Sequence, residues 1–523
     1  VAFSAIDGPA DFDAGIVARV AYEGCGLDVK LPAACSLEFD SLAPVPQSVR
    51  LSGDLLQLTT SRGPVRAALL DTHHLLIEGH CRASNVTDGL ALLRRHNRLL
   101  VAAAAQARPD LLDADMDAAI AARAKWLSSL RLPPLEAPDR RLLLKCLSVL
   151  KTQLYSPQGR FSRRWTTPDR WPHRRLFLWD SVFHAVGWRH VDASVARDAV
   201  AAVLETQRSD GFVPHCSDPR HSTRITQPPV LAIGAAAVDA LAPDDAFVRH
   251  VYEPISRMLE FVLRNRDTDG GGLLEWAITD DERCRCDESG MDNSPRFDQA
   301  IPLDAPDFNA FVAHEAEVLH GFAMRLGLPG DARKWQALHR RLCELINARL
   351  WNEELGLYVD CEAASGRQSN ILAASGFLPL LCGAPDARQV RRLAEHIERG
   401  ETFGSPLPVP TTSPGQSAYS KDMWRGPVWV NINWLIADGF ARCGLRGHAE
   451  LIRRRTLEEV SRWYERLGCL FEYYDDECAA APPELLRKGR RLRDNPPHMV
   501  LPDYGWTAAL CADWLLNSGQ SPI

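Results

Sequence analysis

The sequence predicts a mainly α protein, a toroid of helix pairs preceded by a smaller β-rich, sandwich-like N-terminal domain. Three observations predict it. Residues 1–110 run as short apolar stretches punctuated by Gly, Pro, Ser and Asp, the pattern of short strands and tight turns. From about residue 139 apolar positions recur at helical spacing beside capping residues. Consecutive helices are separated by loops dense in Trp, Asp, Glu, Arg, His and Gly, as in an all-α toroid, although no sequence repeat is strong enough to prove one.

In the β-rich part, strands are expected over Gly15 to Tyr22, Ser48 to Leu51, Leu55 to Thr60 and Val65 to Glu78. The turn signals are Ser52-Gly53-Asp54 and Ser61-Arg62-Gly63-Pro64. Residues 111–138 read as a helical linker, with a helix from Leu111 to Ala124 and a Pro-rich run from Leu132 to Pro138. Residues 139–523 form the helical domain. Asp192 is placed to cap a helix with Val195, Ala199 and Val203 on one face. Asp331 opens another, with Trp335, Leu338, Leu342, Leu345 and Ile346 on its apolar side, and the helix before it closes at Gly327. Leu393 to Ile397 and Asn433 to Phe440 continue the series.

The 523 residues carry a formal charge of −7, with 24% charged and 46% apolar residues. A chain of this length buries roughly three quarters of its surface on folding, so it needs no disulfide or metal to complete a core. The negative balance offers no general affinity for nucleic acid. No apolar run reaches the length of a membrane span. The first eight residues lack the order of a signal peptide, and the fourteen cysteines are irregularly spaced, so a reduced, cytoplasmic protein is expected. Cys284 and Cys286 form a close pair without a second pair at zinc-ligand spacing.

Five loops carry the chemistry. In Phe177 to Phe183, Trp179 offers a flat apolar face and Asp180 a two-oxygen acceptor, which together suit the C–H face and the hydroxyls of a sugar. Phe183 closes that motif. His215 and Gln227 in the next segment can each donate and accept toward a polyol. Asp287 to Asp298 packs four carboxylates into a segment broken by Gly290 and Pro295, and like charge raises the pKa of a carboxyl in such company, as a general acid requires. The residues alone do not separate Glu288 from Asp292 as that acid. Trp424, Arg425 and Gly426 precede the Pro break of a Trp-rich run and are placed to face a pocket. Glu472 and Asp475, between aromatics, are candidates for a base, and Trp506 opens the last helix near the same mouth. Asp267-Thr-Asp269 begins like a calcium loop but has Gly271 and Ile278 where an EF-hand needs oxygen ligands, so it reads as a turn and no cofactor is expected, with calcium at Asp267 and Asp269 as the alternative.

Taken together, Trp179-Asp-Ser181, Gly211 to His215, Gln227-Pro-Pro229, Glu288 to Arg296, Trp424 to Trp429 and Glu472-Tyr-Tyr474 resemble, in order, the motifs of glycoside hydrolase family 63 and its trehalase-like relatives. The resemblance spans roughly residues 150 to 516. It implies an (α/α)6 barrel with the active site at its loop-bearing mouth, and an inverting α-glycosidase. It further implies Asp292 as general acid, Glu472 as general base and Asp180 as a carboxylate holding the cleaved sugar. Met423 stands where the family usually has Tyr, and the acidic-then-basic segment Asp475 to Arg493 departs from the usual Gly-bearing turn, both on the leaving-group side. A small α-glucoside or α-mannoside is expected, with Arg425 either available to an aglycone carboxylate or a structural residue bonded to Asp292 or Glu288, which the sequence does not separate. A catalytically inactive carbohydrate-binding protein on the same fold, or a sugar epimerase or lyase on an α-toroid, are the alternatives.

Overall fold

A computed structural model describes residues 5–6, 10–21, 25–44, 49–489 and 499–517. Of the segments read above, Val1 to Gly8 other than Ala5 and Ile6, Tyr22, Ser48 and the end of the Asp475 to Arg493 run lie outside the described residues. Eleven strands open the chain: β1 (Ala5–Ile6), β2 (Val17–Val20), β3 (Gly26–Leu31), β4 (Cys35–Glu38), β5 (Val49–Leu51), β6 (Leu55–Thr60), β7 (Gly63–Asp71), β8 (His74–Glu78), β9 (Arg82–Ser84), β10 (Leu90–Arg95) and β11 (Arg98–Ala103). They pair antiparallel in two sheets, ordered β1-β2-β3-β4-β9 and β10-β11-β8-β7-β6-β5. Strand alternation decides what each sheet faces. Val65, Ala67, Leu75, Ile77, Leu99 and Val101 point into the sandwich, while Ala68, Leu76 and Leu100 point out against Leu112, Met116 and Ile120.

The Val65 to Glu78 run is two strands, not one: Asp71 accepts the His73 N–H at 2.8 Å and turns the chain between β7 and β8. The linker helix starts later than its apolar pattern implies. Pro109–Asp113 is a 3-10 turn, and α1 (Met116–Ser129) begins where Asp115 accepts the N–H groups of Asp117 and Ala118.

The remaining helices are α2 (Ala137–Thr152), α3 (Leu178–Trp188), α4 (Ala193–Leu204), α5 (Leu231–Leu241), α6 (Asp245–Asn265), α7 (Pro306–Arg325), α8 (Pro329–Leu345), α9 (Ala387–Glu398), α10 (Val430–Arg442), α11 (Arg446–Leu467) and α12 (Gly505–Leu516). Asp192 caps α4 through Ser194 and Val195, and Gly327 turns left-handed (φ 74°) after α7. Asp331 does not cap α8, which starts at Pro329; its carboxylate accepts the Tyr252 hydroxyl instead.

Neighbour relations close a ring. α3 packs on α5, α5 on α7, α7 on the 3-10 segment Ala374–Leu380, that segment on α10, α10 on α12, and α12 back on α3. These six form the inner ring of an (α/α)6 barrel, and α4, α6, α8, α9, α11 and α2 form the outer one. Burial follows position: α3 is buried along its whole length, whereas outer α8 buries only Ala332, Trp335 and Leu342. Small residues let inner helices approach. A Cβ on Gly187 would stand 2.7 Å from the Ala509 backbone, and one on Gly234 2.6 Å from Val182. Among the described residues no helix is long and apolar enough to cross a membrane.

Candidate active site

The chemistry-bearing loops all end where an inner helix begins: Phe177 before α3, Gln227 before α5, Asp292 before α7, Trp424 before α10 and Glu472 before α12. The inner helices therefore run in one sense, with their N-termini at one mouth. A cavity of about 530 Å³ opens there. Trp179, Asp180, His215, Gln227, Asp292, Trp424, Glu472 and Trp506 line it.

One wall is aromatic. Trp424 stacks on Trp429 at 3.6 Å between ring centroids, and Trp506 meets Trp179 edge to face at 5.4 Å. Gln227 accepts the Trp179 N–H at 3.3 Å, fixing the start of α3. Asp180 sits in the first turn of that helix. Its carboxyl is buried beside the Tyr504 hydroxyl, and burial, reinforced by the charge of Glu472, pushes its pKa well above the carboxylate range. Asp180 Oδ1 and Trp506 Nε1 meet no protein partner and are available to sugar hydroxyls. His215 bonds Thr223 at 3.0 Å, and burial lowers its pKa to about 4, so it faces the cavity as a neutral ring.

The acid loop is held from both ends. Cys286 N–H donates to the Asp292 carbonyl at 3.3 Å, and Asn293 accepts the Trp424 N–H at 3.0 Å, which sews this loop to the Trp-rich one. Behind it Arg296 is fully buried between Asp307 (2.7 and 2.9 Å) and Asp360 (2.6 and 2.8 Å). The Asp292 carboxylate meets Lys488 Nζ at 2.8 Å. Glu472 is held by its N–H to the Leu501 carbonyl at 3.0 Å, and its carboxylate accepts from Arg487 Nε at 3.1 Å and Nη2 at 3.3 Å. Two carboxylates on loops far apart in sequence thus face one cavity beneath an aromatic wall. Such a pair can protonate a leaving oxygen and activate water.

Four residues expected at the substrate stand outside the cavity lining. Phe183, one turn along α3, packs on Trp179 and Trp506. Glu288 is buried under the loop, where it takes a two-point bond from Arg266 (2.9 and 2.6 Å) and the Ala277 N–H; this separates it from Asp292, which the residues alone could not do. Arg425 is pinned to Asp298 by two 2.8 Å bonds and to the Asn293 carbonyl, so it bonds neither Asp292 nor Glu288 and is not open to an aglycone. Gly426 lets the chain pass Tyr419, whose ring a Cβ would meet at 2.7 Å. Asp475, the other candidate base, is bound to Lys421 and to the Ala479 and Ala480 N–H groups.

Sequence reasoning did not single out Asp287, Tyr504, Arg487 or Lys488, all of which line the cavity, as does Met423, noted above as a departure on the leaving-group side. Burial first, then Asp292, pushes the Asp287 carboxyl up to about 6. Asp287 lay within the acidic loop, and Arg487-Lys488 within the Asp475 to Arg493 run expected on the leaving-group side; charge density marked both segments but not which side chains face the cavity. Asp267, Asp269 and Glu275 bring oxygens within 4.8 Å of one another, away from the cavity lining. Cys284 does line it, and burial raises its thiol pKa to about 12, whereas Cys286 is buried against the Ala277 carbonyl.

Fold and cavity together define a glycosidase of the (α/α)6-barrel class. Residues 173–507 match the mannosylglycerate hydrolase MGH1-like glycoside hydrolase domain, and the chain belongs to that family. It is similar to the mannosylglycerate hydrolase of Rubrobacter radiotolerans, 25% identical over 444 residues that cover 67% of this chain and 92% of that protein. It is also similar to the glucosylglycerate hydrolase of Mycolicibacterium hassiacum, 23% identical over 448 residues covering 66% and 93%. Among solved structures, the GH63 mannosylglycerate hydrolase from Thermus thermophilus in complex with glucose shares the fold with a TM-score of 0.59, at 23% identity, covering 71% of this chain and 99% of that one.

Proposed function

We propose that the protein hydrolyses a small α-linked glucoside or mannoside of a short hydroxy acid, with inversion, using Asp292 as general acid and Glu472 as general base. The observation that carries this reading is the convergence of those two carboxylates on one cavity of about 530 Å³ that Trp179, Trp424 and Trp506 also line. A cavity of that size suits one sugar and a compact aglycone. The relatives named for glucosylglycerate and mannosylglycerate support the substrate class and leave both sugars in it. Asp180, with a free buried oxygen, holds the sugar. Asp292 gives its proton to the glycosidic oxygen while Glu472 takes one from water on the opposite face. Inversion needs carboxyls about 6.5–9.5 Å apart to hold that water. Arg487 holds Glu472 in place, with Nε 3.1 Å from its carboxyl oxygen. No disulfide joins any of the fourteen cysteines, all of which lie among the described residues, and this supports action in a reducing, cytoplasmic compartment.

Substitution tests the roles. Asp292→Asn and Glu472→Gln should each lower kcat by about 10²–10⁴-fold with an unchanged circular dichroism spectrum. Either variant keeping more than roughly a tenth of wild-type turnover removes that residue from its role. The binding-protein alternative predicts no turnover by the wild type on any α-linked glucosyl- or mannosylglycerate.

A further inference from the structure

Two consecutive residues place their cations on the two proposed catalytic carboxylates. Arg487 Nε stands 3.1 Å from Glu472. Lys488 Nζ stands 2.8 Å from Asp292. The free protein therefore holds its proposed acid in an ion pair.

The two cations also differ in how they are held. Arg487 is buried with its planar fork on Glu472. The main chain under Lys488 is fixed, because Leu486 N–H donates to the Lys421 carbonyl at 3.0 Å and Gly489 N–H to Asp422 at 2.9 Å. Its ammonium is held by Asp292 and by the Cys284 sulfur, a thiol that burial keeps protonated and so a weak partner. The side chains of Lys488 and Asp292 are each 21% exposed and both line the cavity. A flexible four-carbon stem on a fixed base can move its charge without moving the loop. The cation the sequence offered for an aglycone carboxylate, Arg425, is taken by Asp298.

We infer that Lys488 is a specificity-determining residue whose ammonium passes from Asp292 to a carboxylate on the aglycone, so that an α-hydroxy-acid aglycone draws the cation off the acid and a neutral one does not. This rests on the proposed roles of Asp292 and Glu472. An ammonium in contact with the proton donor lies beside the leaving oxygen. In an α-hydroxy acid the carboxylate is carried by the very carbon that bears this oxygen, so it arrives where the ammonium stands. Asp292, released from Lys488, is supplied with its proton by solvent or by Asp287, whose oxygen lies within 4.8 Å. That proton goes to the glycosidic oxygen as the C–O bond breaks. Glu472 receives one proton from the attacking water and returns it to solvent, so the cycle consumes one water and leaves both carboxyls as they began.

The probes are D-glycerate and glycerol, which share a carbon skeleton and differ by the carboxylate, and the α-hexosides of each. Calorimetry on the full chain should show D-glycerate binding at least about tenfold tighter than glycerol, lost in Lys488→Met and kept in Lys488→Arg. The kcat ratio of the glycerate hexoside over the glycerol hexoside should fall at least about tenfold in Lys488→Met and recover in Lys488→Arg. A ratio on one preparation does not depend on the fraction folded. Equal ratios in wild type and Lys488→Met, or a wild type without preference for D-glycerate, overturn the role of Lys488. Absence of wild-type hydrolysis of both hexosides contradicts the proposed reaction instead, and the binding measurement tells the two failures apart.

Discussion

At Gly290 the acid loop turns with φ 71°, and a Cβ there would stand 2.4 Å from the Trp179 ring. Both the left-handed backbone and the close approach require glycine. Gly290→Ala should push the loop off Trp179, raise KM and cost about 1–3 kcal/mol of stability; kinetics and a thermal melt check it, and an unchanged KM would show that the sugar wall does not depend on this contact. Residue type was legible in the sequence and residue direction was not. Trp179, Asp180, Asp292 and Glu472 stood out by their chemistry and do face the cavity. Glu288 and Arg425 stood out for the same reason but face Arg266 and Asp298, because partners distant in sequence capture them. Only the fold brings those partners near.

Elements were read where local chemistry is strong. Asp192 caps α4 as its sequence position implies, and the Leu393 to Ile397 helix is closed by Asp386 and Gln389 in a capping box. They were misread where a long-range contact decides, as at Asp331, which serves Tyr252. Glu315 on α7 is a further case that no local pattern marks. Fully buried, it accepts the N–H groups of Ala232 and Ile233 at 2.8 Å each and so caps α5 from a neighbouring helix. Burial raises its pKa from 4.5 to about 8. The folded protein then binds this proton more tightly than the unfolded chain, so the group's contribution is full below about pH 4.5 and is lost as pH rises toward 8. Glu315→Gln cannot ionise. Its melting temperature relative to wild type should therefore move upward between about pH 5 and about pH 8.5; a difference that stays constant with pH would contradict the assignment.

For the whole molecule, the sequence indicated a β-rich start and a helical toroid, but not the closure of six inner elements, because one of them, Ala374–Leu380, is a 3-10 segment without a helical repeat. Nor did it indicate how the β-rich part docks. Asp54 pairs with Lys151, Gly53 N–H donates to Ser148 at 2.9 Å, and Phe12 packs on Tyr155 and Trp165 at 5.9 Å. These contacts cover one side of α2 and the chain after it. A chain beginning at residue 139 should thus melt below the full-length protein in calorimetry, and an equal melting temperature would show that the β-rich part adds nothing to barrel stability.

The ring places all the loops at one mouth. In the proposed reaction Asp292 protonates the leaving oxygen and Glu472 activates water in a single displacement, so an α-linked substrate would yield the β-sugar first. Proton NMR of the anomeric region, recorded within the first minutes of hydrolysis of an α-glucosyl- or α-mannosylglycerate, tests this directly. Inversion gives β-sugar that later mutarotates; α-sugar as the first product would mean a covalent double displacement and would overturn the proposed roles of Asp292 and Glu472.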